Sequence, residues 1–178
     1  MSQYPQLVVL GDGGVGKTSI ILRYTRNQFS ETYEPTLEDN YHASVMLDSG
    51  PFEMDIADTA GQDDYKSLRD RYMSTGDIFL IVYSVTEPRT LTTAKEMLNQ
   101  IKVIKEDNFK FLLAGNKCDI PNRQVTFDDG YAVAEEFGGH FLETSAKKVI
   151  NIDEAFKEIA HMLKKDDNSA DVGCNCKI

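Results

Sequence analysis

Residues 7–18 read Leu7-Val8-Val9-Leu10-Gly11-Asp12-Gly13-Gly14-Val15-Gly16-Lys17-Thr18. An apolar run leads into the pattern G-x-x-x-x-G-K-[ST], and helical spacing begins after it. Glycine lets the backbone curl until successive N–H groups face one phosphate, and the dipole of the following helix attracts the same anion. Lys17 adds a positive charge, and the hydroxyl of Thr18 is a ligand for Mg²⁺. This strand, loop and helix predict a nucleotide-phosphate site.

The composition predicts one soluble domain. The chain has 178 residues, of which 41% are hydrophobic and 27% charged, values that fit a single core. We expect no membrane span and no signal peptide. The net charge of −10 argues against binding to DNA or RNA. The cysteines Cys118, Cys174 and Cys176 fit neither a disulfide framework nor a zinc site, which favours a reducing, cytoplasmic environment.

Apolar runs alternate with helical periodicity along the chain. Period-2 alternation over residues 41–47 and 52–56, around a turn at Ser49-Gly50-Pro51, predicts an antiparallel hairpin. Continuous apolar runs at 78–83 and 109–114 predict strands buried on both faces. The element order β-α-β-β-α-β-α-β-α-β-α therefore predicts a mostly parallel sheet with helices on both faces.

Capping residues and composition predict where the last elements begin and end. Thr126 and Asp129 have the spacing of a capping box, and Asn151 is predicted to cap the final helix. Residues 166–178 are polar and aperiodic. We therefore predict a nucleotide-binding domain at 1–165 and a flexible tail at 166–178.

Further polar motifs follow two predicted strands. Asp58, in Asp58-Thr59-Ala60-Gly61-Gln62, ends one strand, and its carboxylate can hold Mg²⁺. Gly61 lets the backbone approach a terminal phosphate, and the amide of Gln62 can orient an attacking water. Ligands of such sheets bind at the carboxyl ends of strands, where all these residues fall.

The motif Asn116-Lys117-Cys118-Asp119 predicts the base. Asp119 can accept hydrogen bonds from N1–H and the 2-amino group of guanine, whereas adenine offers it no matching pair of donors. The methylenes of Lys117 can lie against a ring face. Ser145-Ala146-Lys147, after the last strand, can complete the base pocket with backbone N–H groups.

With these motifs in order, residues 4 to about 165 resemble the Ras branch of the small GTPases. Residues 33–39 resemble its switch I and effector region, residues 58 to about 75 its switch II, and 70–76 the Ras group in particular. The short connection 120–125 lacks the helical insert of Rho-type proteins. The resemblance implies the P-loop small GTPase fold, with a six-stranded, mostly parallel sheet, one antiparallel edge strand and five flanking helices.

The resemblance also implies a GTP/GDP switch in signal transduction, with roles assigned by position. The implied nucleotide-binding residues are Gly11, Asp12, Gly13, Gly14, Val15, Gly16, Lys17, Thr18, Ser19, Phe29, Tyr33, Thr36, Gly61, Asn116, Lys117, Asp119, Ser145, Ala146 and Lys147. The implied catalytic residues are Gly13, Lys17, Thr36 and Gln62, and the implied Mg²⁺ ligands are Thr18, Thr36 and Asp58. The implied effector-binding residues are Tyr33, Glu34, Pro35, Thr36, Leu37, Glu38 and Asp39. Asp12 departs from the small residue of many Ras proteins. Its acid could repel phosphate, but the side chain can point outward, so we expect a mild effect.

The implied partners are a GTPase-activating protein, an exchange factor and an effector with a Ras-binding-type domain; the protein itself is expected to be a monomer. Arg69 and Arg71 are predicted to be surface or partner-contact residues, so the activating protein would supply the catalytic arginine. Two alternatives are a guanine-nucleotide scaffold that does not hydrolyse GTP, and a P-loop kinase or ATPase. The kinase or ATPase would lack the motif at 116–119.

The C-terminal sequence Cys174-Asn175-Cys176-Lys177-Ile178 resembles a prenylation box without satisfying one. The box needs cysteine fourth from the end, and Cys176 is third. Either the sequence is one residue short or this route of prenylation is not used; we favour the first. Cys176 would then be prenylated and Cys174 could carry a second chain, which would place the protein at the cytoplasmic face of the plasma membrane.

Overall fold

The fold is a six-stranded sheet between two layers of helices. A computed structural model describes residues 3–32, 38–61, 66–106 and 108–170, without the side chains of residues 66, 68 and 165–170. The elements within these ranges are β1 (Gln6–Gly11), α1 (Lys17–Arg26), β2 (Glu38–Leu47), β3 (Gly50–Thr59), α2 (Lys66–Thr75), β4 (Ile78–Ser84), α3 (Pro88–Lys105), β5 (Phe111–Asn116), α4 (Phe127–Glu136), β6 (His140–Glu143) and α5 (Ile152–Ala170).

The strand order is β2-β3-β1-β4-β5-β6, and only the β2–β3 pair is antiparallel among the described pairs. This arrangement confirms the predicted fold class, including an antiparallel strand at the sheet edge. From β1 the chain moves to one side for β2 and β3 and then crosses to the other side for β4, β5 and β6. Such a reversal leaves a crevice at the carboxyl ends of the strands, where ligands bind.

Each face of the sheet has its own apolar core. Ile20 and Ile21 of α1 pack with Phe156 and Ile159 of α5 against one face. The other face is covered by buried residues of α2, α3 and α4, among them Met73, Ala94, Leu98, Ile101 and Ala134. Every residue of β4 and β5 is buried, as their apolar runs predict, although β5 spans Phe111–Asn116 and not the predicted 109–114. No helix in the described ranges is long and apolar enough to cross a membrane.

The hairpin and the last helix differ in detail from their predictions. The connection of β2 and β3 is Asp48 and Ser49 alone, since Leu47 pairs with Gly50 and Met46 with Pro51. The prediction placed Gly50 and Pro51 in the turn. Proline is tolerated there because β2 is the edge strand and its partner β3 has just begun.

Helix α5 also begins and ends differently. Thr126 caps α4 in the predicted capping box, but Asn151 does not cap α5 in the same way. Asn151 has a φ of 52°, and its Nδ2 donates instead to the carbonyl of Glu143 at 2.8 Å. Helix α5 continues to Ala170, so residues 166–170 are helical although their sequence has no apolar periodicity. The earlier turns of α5 are held by their packed apolar face, and adding residues to an existing helix is easier than starting a new one.

The core contains one buried hydroxyl that the packing does not satisfy. Tyr83, at the carboxyl end of β4, is fully buried, and its hydroxyl has no hydrogen-bond partner among the described residues. It lies against the backbone of Gly115 and Gly130, where a Cβ would come within 2.6 and 2.2 Å of that oxygen. Burial also raises the pKa of Tyr83, so the hydroxyl stays protonated.

We expect Tyr83→Phe to leave the protein folded and to increase the free energy of unfolding by about 1 kcal/mol, because the change removes an unpaired polar group and keeps the ring. Chemical denaturation of both proteins would measure this. A decrease of similar size would show that the hydroxyl has a partner, such as a buried water.

Candidate functional site

A cavity of about 590 Å³ opens at the carboxyl ends of β1, β3 and β5. Its size suits a nucleotide-sized ligand. One end is formed by the loop before α1, and the other by the loops after β5 and β6. The residues that line it are Gly14, Gly16, Lys17, Thr18, Ser19, Leu22, Gln28, Phe29, Ser30, Glu31, Thr32, Thr59, Gly61, Asn116, Lys117, Asp119, Ile120, Ala146 and Lys147.

Two glycines of the first loop are required by geometry. Gly16, just before α1, has a φ of 102°, and a Cβ there would come 2.3 Å from Nδ2 of Asn116. A Cβ on Gly11 would lie 2.2 Å from the carbonyl oxygen of Val82 in β4. The loop can therefore curl beneath α1 only because neither position carries a side chain.

Lys17 is buried at the start of α1. Its ammonium donates to the carbonyl oxygens of Gly11 at 3.0 Å and Asp12 at 2.9 Å. Burial lowers the pKa of Lys17 to about 8, although the nearby charges of Asp58 and Asp12 act in the opposite direction. A buried cation on a glycine-rich loop has the charge that attracts an anion.

Asp58 ends β3 within reach of the same loop. Its Oδ2 accepts a hydrogen bond from the hydroxyl of Thr18 at 2.5 Å, and its buried Oδ1 has no hydrogen-bond partner among the described residues. Burial raises the pKa of Asp58 to about 6, with the Thr18 hydrogen bond and the charge of Lys17 lowering it. A carboxylate with an unpaired oxygen beside a hydroxyl suits a hard cation such as Mg²⁺.

Asn116 joins the two ends of the cavity. Its Nδ2 donates to the carbonyl oxygen of Val15 at 2.9 Å, and its Oδ1 accepts from the hydroxyl of Thr144 at 3.2 Å. All three elements, the loop before α1, β5 and the segment after β6, are fixed by this one buried side chain. Asn116 thus acts as a brace, a role its motif alone does not indicate.

Asp119 is also oriented by the segment after β6. The hydroxyl of Ser145 donates to Oδ1 of Asp119 at 2.6 Å, and the same hydroxyl accepts from the backbone N–H of Lys148 at 2.9 Å. Lys117, between the brace and this carboxylate, has a φ of 66°. A left-handed backbone at a lysine is uncommon, and such conformations cluster at binding sites.

An ion pair crosses the mouth of the cavity. Lys147 Nζ lies 2.6 Å from Oε1 of Glu31, which belongs to the segment after α1. The ring of Phe29 lies beside it, and the guanidinium of Arg23 is 5.7 Å from that ring. The local sequence does not signal the role of Glu31, because its partner Lys147 is 116 residues away.

The predicted residues fall into three groups. Most of the predicted nucleotide-binding residues line the cavity. A second group is described but does not line the cavity: Gly11, Asp12, Gly13, Val15, Glu38, Asp39, Asp58 and Ser145. Tyr33, Glu34, Pro35, Thr36, Leu37, Gln62, Cys174 and Cys176 are outside the described residues.

Gly61 lies directly against the first loop. A Cβ there would come 2.5 Å from the backbone nitrogen of Gly13 and 2.6 Å from the carbonyl carbon of Asp12. The chain leaving β3 can approach the loop before α1 this closely only because residue 61 is glycine.

The surface prediction is wrong for Arg69 and right for Arg71, which is exposed. Arg69 is 7% exposed and lies on the face of α2 that also buries Tyr72 and Met73. Positions three and four apart share one face of a helix, so Arg69 lies on the same face as the buried Tyr72 and Met73. An arginine at that position suggests a surface residue, and the sequence therefore did not indicate its burial. The positive charge of Arg69 also contributes to lowering the pKa of Lys17.

Comparison with known proteins agrees with this arrangement. Residues 6–165 match the family model described as Ras family. The chain belongs to the Ras family. Ras-like protein rasB of Dictyostelium discoideum is 45% identical over 162 residues, which are 90% of this chain and 82% of that protein. Ras-like protein 1 of Saccharomyces cerevisiae is 40% identical over 163 residues, which are 90% of the chain and 53% of the yeast protein.

Ras family membership confirms the predicted activity. The chain is a small GTPase that binds GTP and GDP, hydrolyses GTP and acts as a signalling switch. Proteins of the Ras family interact with activating proteins, exchange factors and effectors. The chain spans about half the length of the yeast relative.

We expect Glu31→Gln to accelerate the release of bound GDP about two- to threefold at low salt, because it removes the charged partner of Lys147 at the cavity mouth. Stopped-flow release of a fluorescent GDP analogue would measure it. The gain should shrink at high salt, since the pair is exposed.

A matched control is Glu136→Gln, which breaks the exposed ion pair between Glu136 of α4 and Lys95 of α3. The two side chains are 52% and 44% exposed, and Nζ of Lys95 lies 2.7 Å from Oε2 of Glu136. Release from this variant should equal that of wild type. Equal acceleration by both variants would contradict a role of Glu31 at the mouth.

Proposed function

We propose that the phosphates of GDP and GTP bind the loop 11–18 and that guanine binds between Lys117, Asp119 and residues 145–147. The observation that carries this proposal is the pairing of opposite chemistries in one cavity. A buried ammonium, that of Lys17, lies at one end. A carboxylate held by a serine hydroxyl, that of Asp119, lies at the other.

The base end supports guanine over adenine. With one oxygen held by Ser145, the carboxylate of Asp119 retains lone pairs to accept from N1–H and the 2-amino group of guanine. With adenine bound, the carboxylate of Asp119 would face N1, which is itself an acceptor. Both groups would lack a hydrogen-bond donor, and this cost discriminates strongly against adenine. Phe29, which lines the cavity with its ring near the guanidinium of Arg23, would pack on the base.

The phosphate end supports a Mg²⁺ ion. Thr18 and Asp58 would hold it, since the unpaired Oδ1 of Asp58 is the oxygen a cation would satisfy. Thr36, outside the described residues, is proposed as a further ligand in the GTP state. When bound, the ion would neutralise charge on the phosphate oxygens, which is the chemistry that phosphoryl transfer requires.

Hydrolysis would depend on positioning rather than on covalent chemistry. Lys17 would neutralise the terminal phosphates, the N–H of Gly61 would face them, and Gln62 would orient the attacking water. Gly61 lies against the backbone of Gly13, so Gln62, the next residue, would lie close to Gly13 as well. The absence of a side chain on Gly13 would leave room for Gln62. The activating protein would contribute an arginine, since Arg71 points to solvent and Arg69 is buried in α2.

Effector binding is proposed at the edge strand β2 and residues 33–37. Glu38, Asp39 and Asn40 are exposed at the start of β2, where a partner could add a strand and present basic residues. The hydroxyl of Tyr72 in α2 donates to Oε1 of Glu38. A basic effector residue would compete with Tyr72 for this carboxylate, which links effector binding to α2.

Anchoring at the plasma membrane is proposed through the tail. The proposed site of prenylation is Cys176. The tail has no polybasic patch, because Lys164 and Lys165 are offset by Asp166, Asp167 and Asp171, so a second chain on Cys174 would strengthen the anchor.

The protein purified under native conditions should carry GDP or GTP, because both ends of the cavity match a guanine nucleotide. Release by acid followed by ion-exchange chromatography would identify the nucleotide. ADP or ATP in its place would overturn the assignment of Asp119.

We expect Gln62→Leu to retain GTP binding and to lower the single-turnover rate of GTP hydrolysis by tenfold or more, because leucine cannot orient water. Gln124→Leu is the matched control, since Gln124 is exposed and outside the cavity. Hydrolysis at the wild-type rate in Gln62→Leu would remove Gln62 from its proposed role.

For the tail, the intact mass of the protein from its native source should exceed the mass of the polypeptide by a prenyl group. An unmodified native protein would contradict membrane anchoring by this route.

A further inference from the structure

The phosphate loop contains an acid, Asp12, at a position where a negative charge would repel bound phosphates. The structure pairs this carboxylate with a backbone N–H and with an arginine. Oδ1 of Asp12 accepts the backbone N–H of Gly13 at 2.7 Å, and Oδ2 lies 3.2 Å from Nη2 of Arg89 in the first turn of α3. The Asp12 side chain is 17% exposed and that of Arg89 is 76% exposed.

Arg89 is not placed to stabilise its own helix. A cation in the first turn opposes the helix dipole, whereas an anion there is stabilised by it. Arg89 therefore gains α3 nothing through the helix dipole, and its guanidinium pairs with Asp12 instead. The partner that explains the position of Arg89 is Asp12.

The backbone of Asp12 is fixed on its other sides. Its carbonyl oxygen accepts from Lys17 Nζ at 2.9 Å, and a Cβ on Gly61 would come 2.6–2.7 Å from its carbonyl group. Because Gly61 and Lys17 hold this peptide unit, the direction of the side chain is the one freedom left to the residue. Arg89 pairs with this side chain, and neither Asp12 nor Arg89 lines the cavity.

We propose that Arg89 is a positioning residue of the phosphate site: it neutralises Asp12 and holds the carboxylate away from the phosphates of the bound nucleotide. The inference rests on the proposed binding of phosphates to the loop 11–18. Without Arg89, no positive charge compensates the carboxylate of Asp12. The carboxylate can then turn towards the phosphates, which weakens nucleotide binding.

The test is a double-mutant cycle on the release rate of a fluorescent GDP analogue from the full chain in Mg²⁺ buffer. Arg89→Gln should accelerate release about two- to fivefold in the wild-type background. Asp12→Asn removes the charge but keeps an oxygen for the Gly13 N–H. In the Asp12→Asn background, Arg89→Gln should leave the release rate unchanged.

Two further variants separate charge from packing. Arg89→Lys keeps the positive charge and should restore most of the wild-type rate. Lys95→Gln, elsewhere on α3, removes a charge from another exposed ion pair and should release GDP at the wild-type rate. A loss of packing in α3 would instead persist in the Asp12→Asn background.

The outcomes also separate this inference from the proposed function. If Arg89→Gln accelerates release equally in both backgrounds, or in neither, the inference is overturned while nucleotide binding stands. If wild-type protein does not bind GDP at all, the proposed phosphate site and the inference both fall.

Discussion

One buried amide holds the candidate nucleotide site together. Asn116 donates to the carbonyl of Val15 and accepts from the hydroxyl of Thr144, so it ties β5 to the loop before α1 on one side and to the segment after β6 on the other. Residue 16 must be glycine for the same reason, because a Cβ there would collide with the side chain of Asn116. Loops that come from three different strands therefore keep a fixed spacing, which binding a long, rigid nucleotide requires.

Burial sets the electrostatics of the phosphate end. It lowers the pKa of Lys17 to about 8 and raises that of Asp58 to about 6, so each shift disfavours the charged form. Both groups are charged between about pH 6 and pH 8. Each is nevertheless incompletely compensated, since carbonyl oxygens are the partners of the ammonium and one oxygen of Asp58 is unpaired among the described residues. An anion and a divalent cation would supply the missing charges.

The sequence predicted what depends on local pattern. The runs at 78–83 and 109–114, the capping box at Thr126 and the glycine-rich loop follow from periodicity and spacing, and they set the sheet and its carboxyl edge. Contacts between distant segments were not predictable. Glu31, Arg89 and the buried Arg69 have roles that depend on partners supplied only by the tertiary fold. The predicted capping of α5 by the Asn151 side chain failed for the same reason, because its amide donates to the carbonyl of Glu143 in β6.

The open edge of β2 has a consequence for self-association. An exposed edge strand offers unpaired N–H and C=O groups to any other edge, including that of an identical molecule. Here the exposed acids Glu38 and Asp39 begin the strand, and the whole chain carries a net charge of −10. Two copies meeting edge to edge would bring like charges together. The acids that suit a basic partner thus also discourage this surface from nucleating aggregates in a crowded cell.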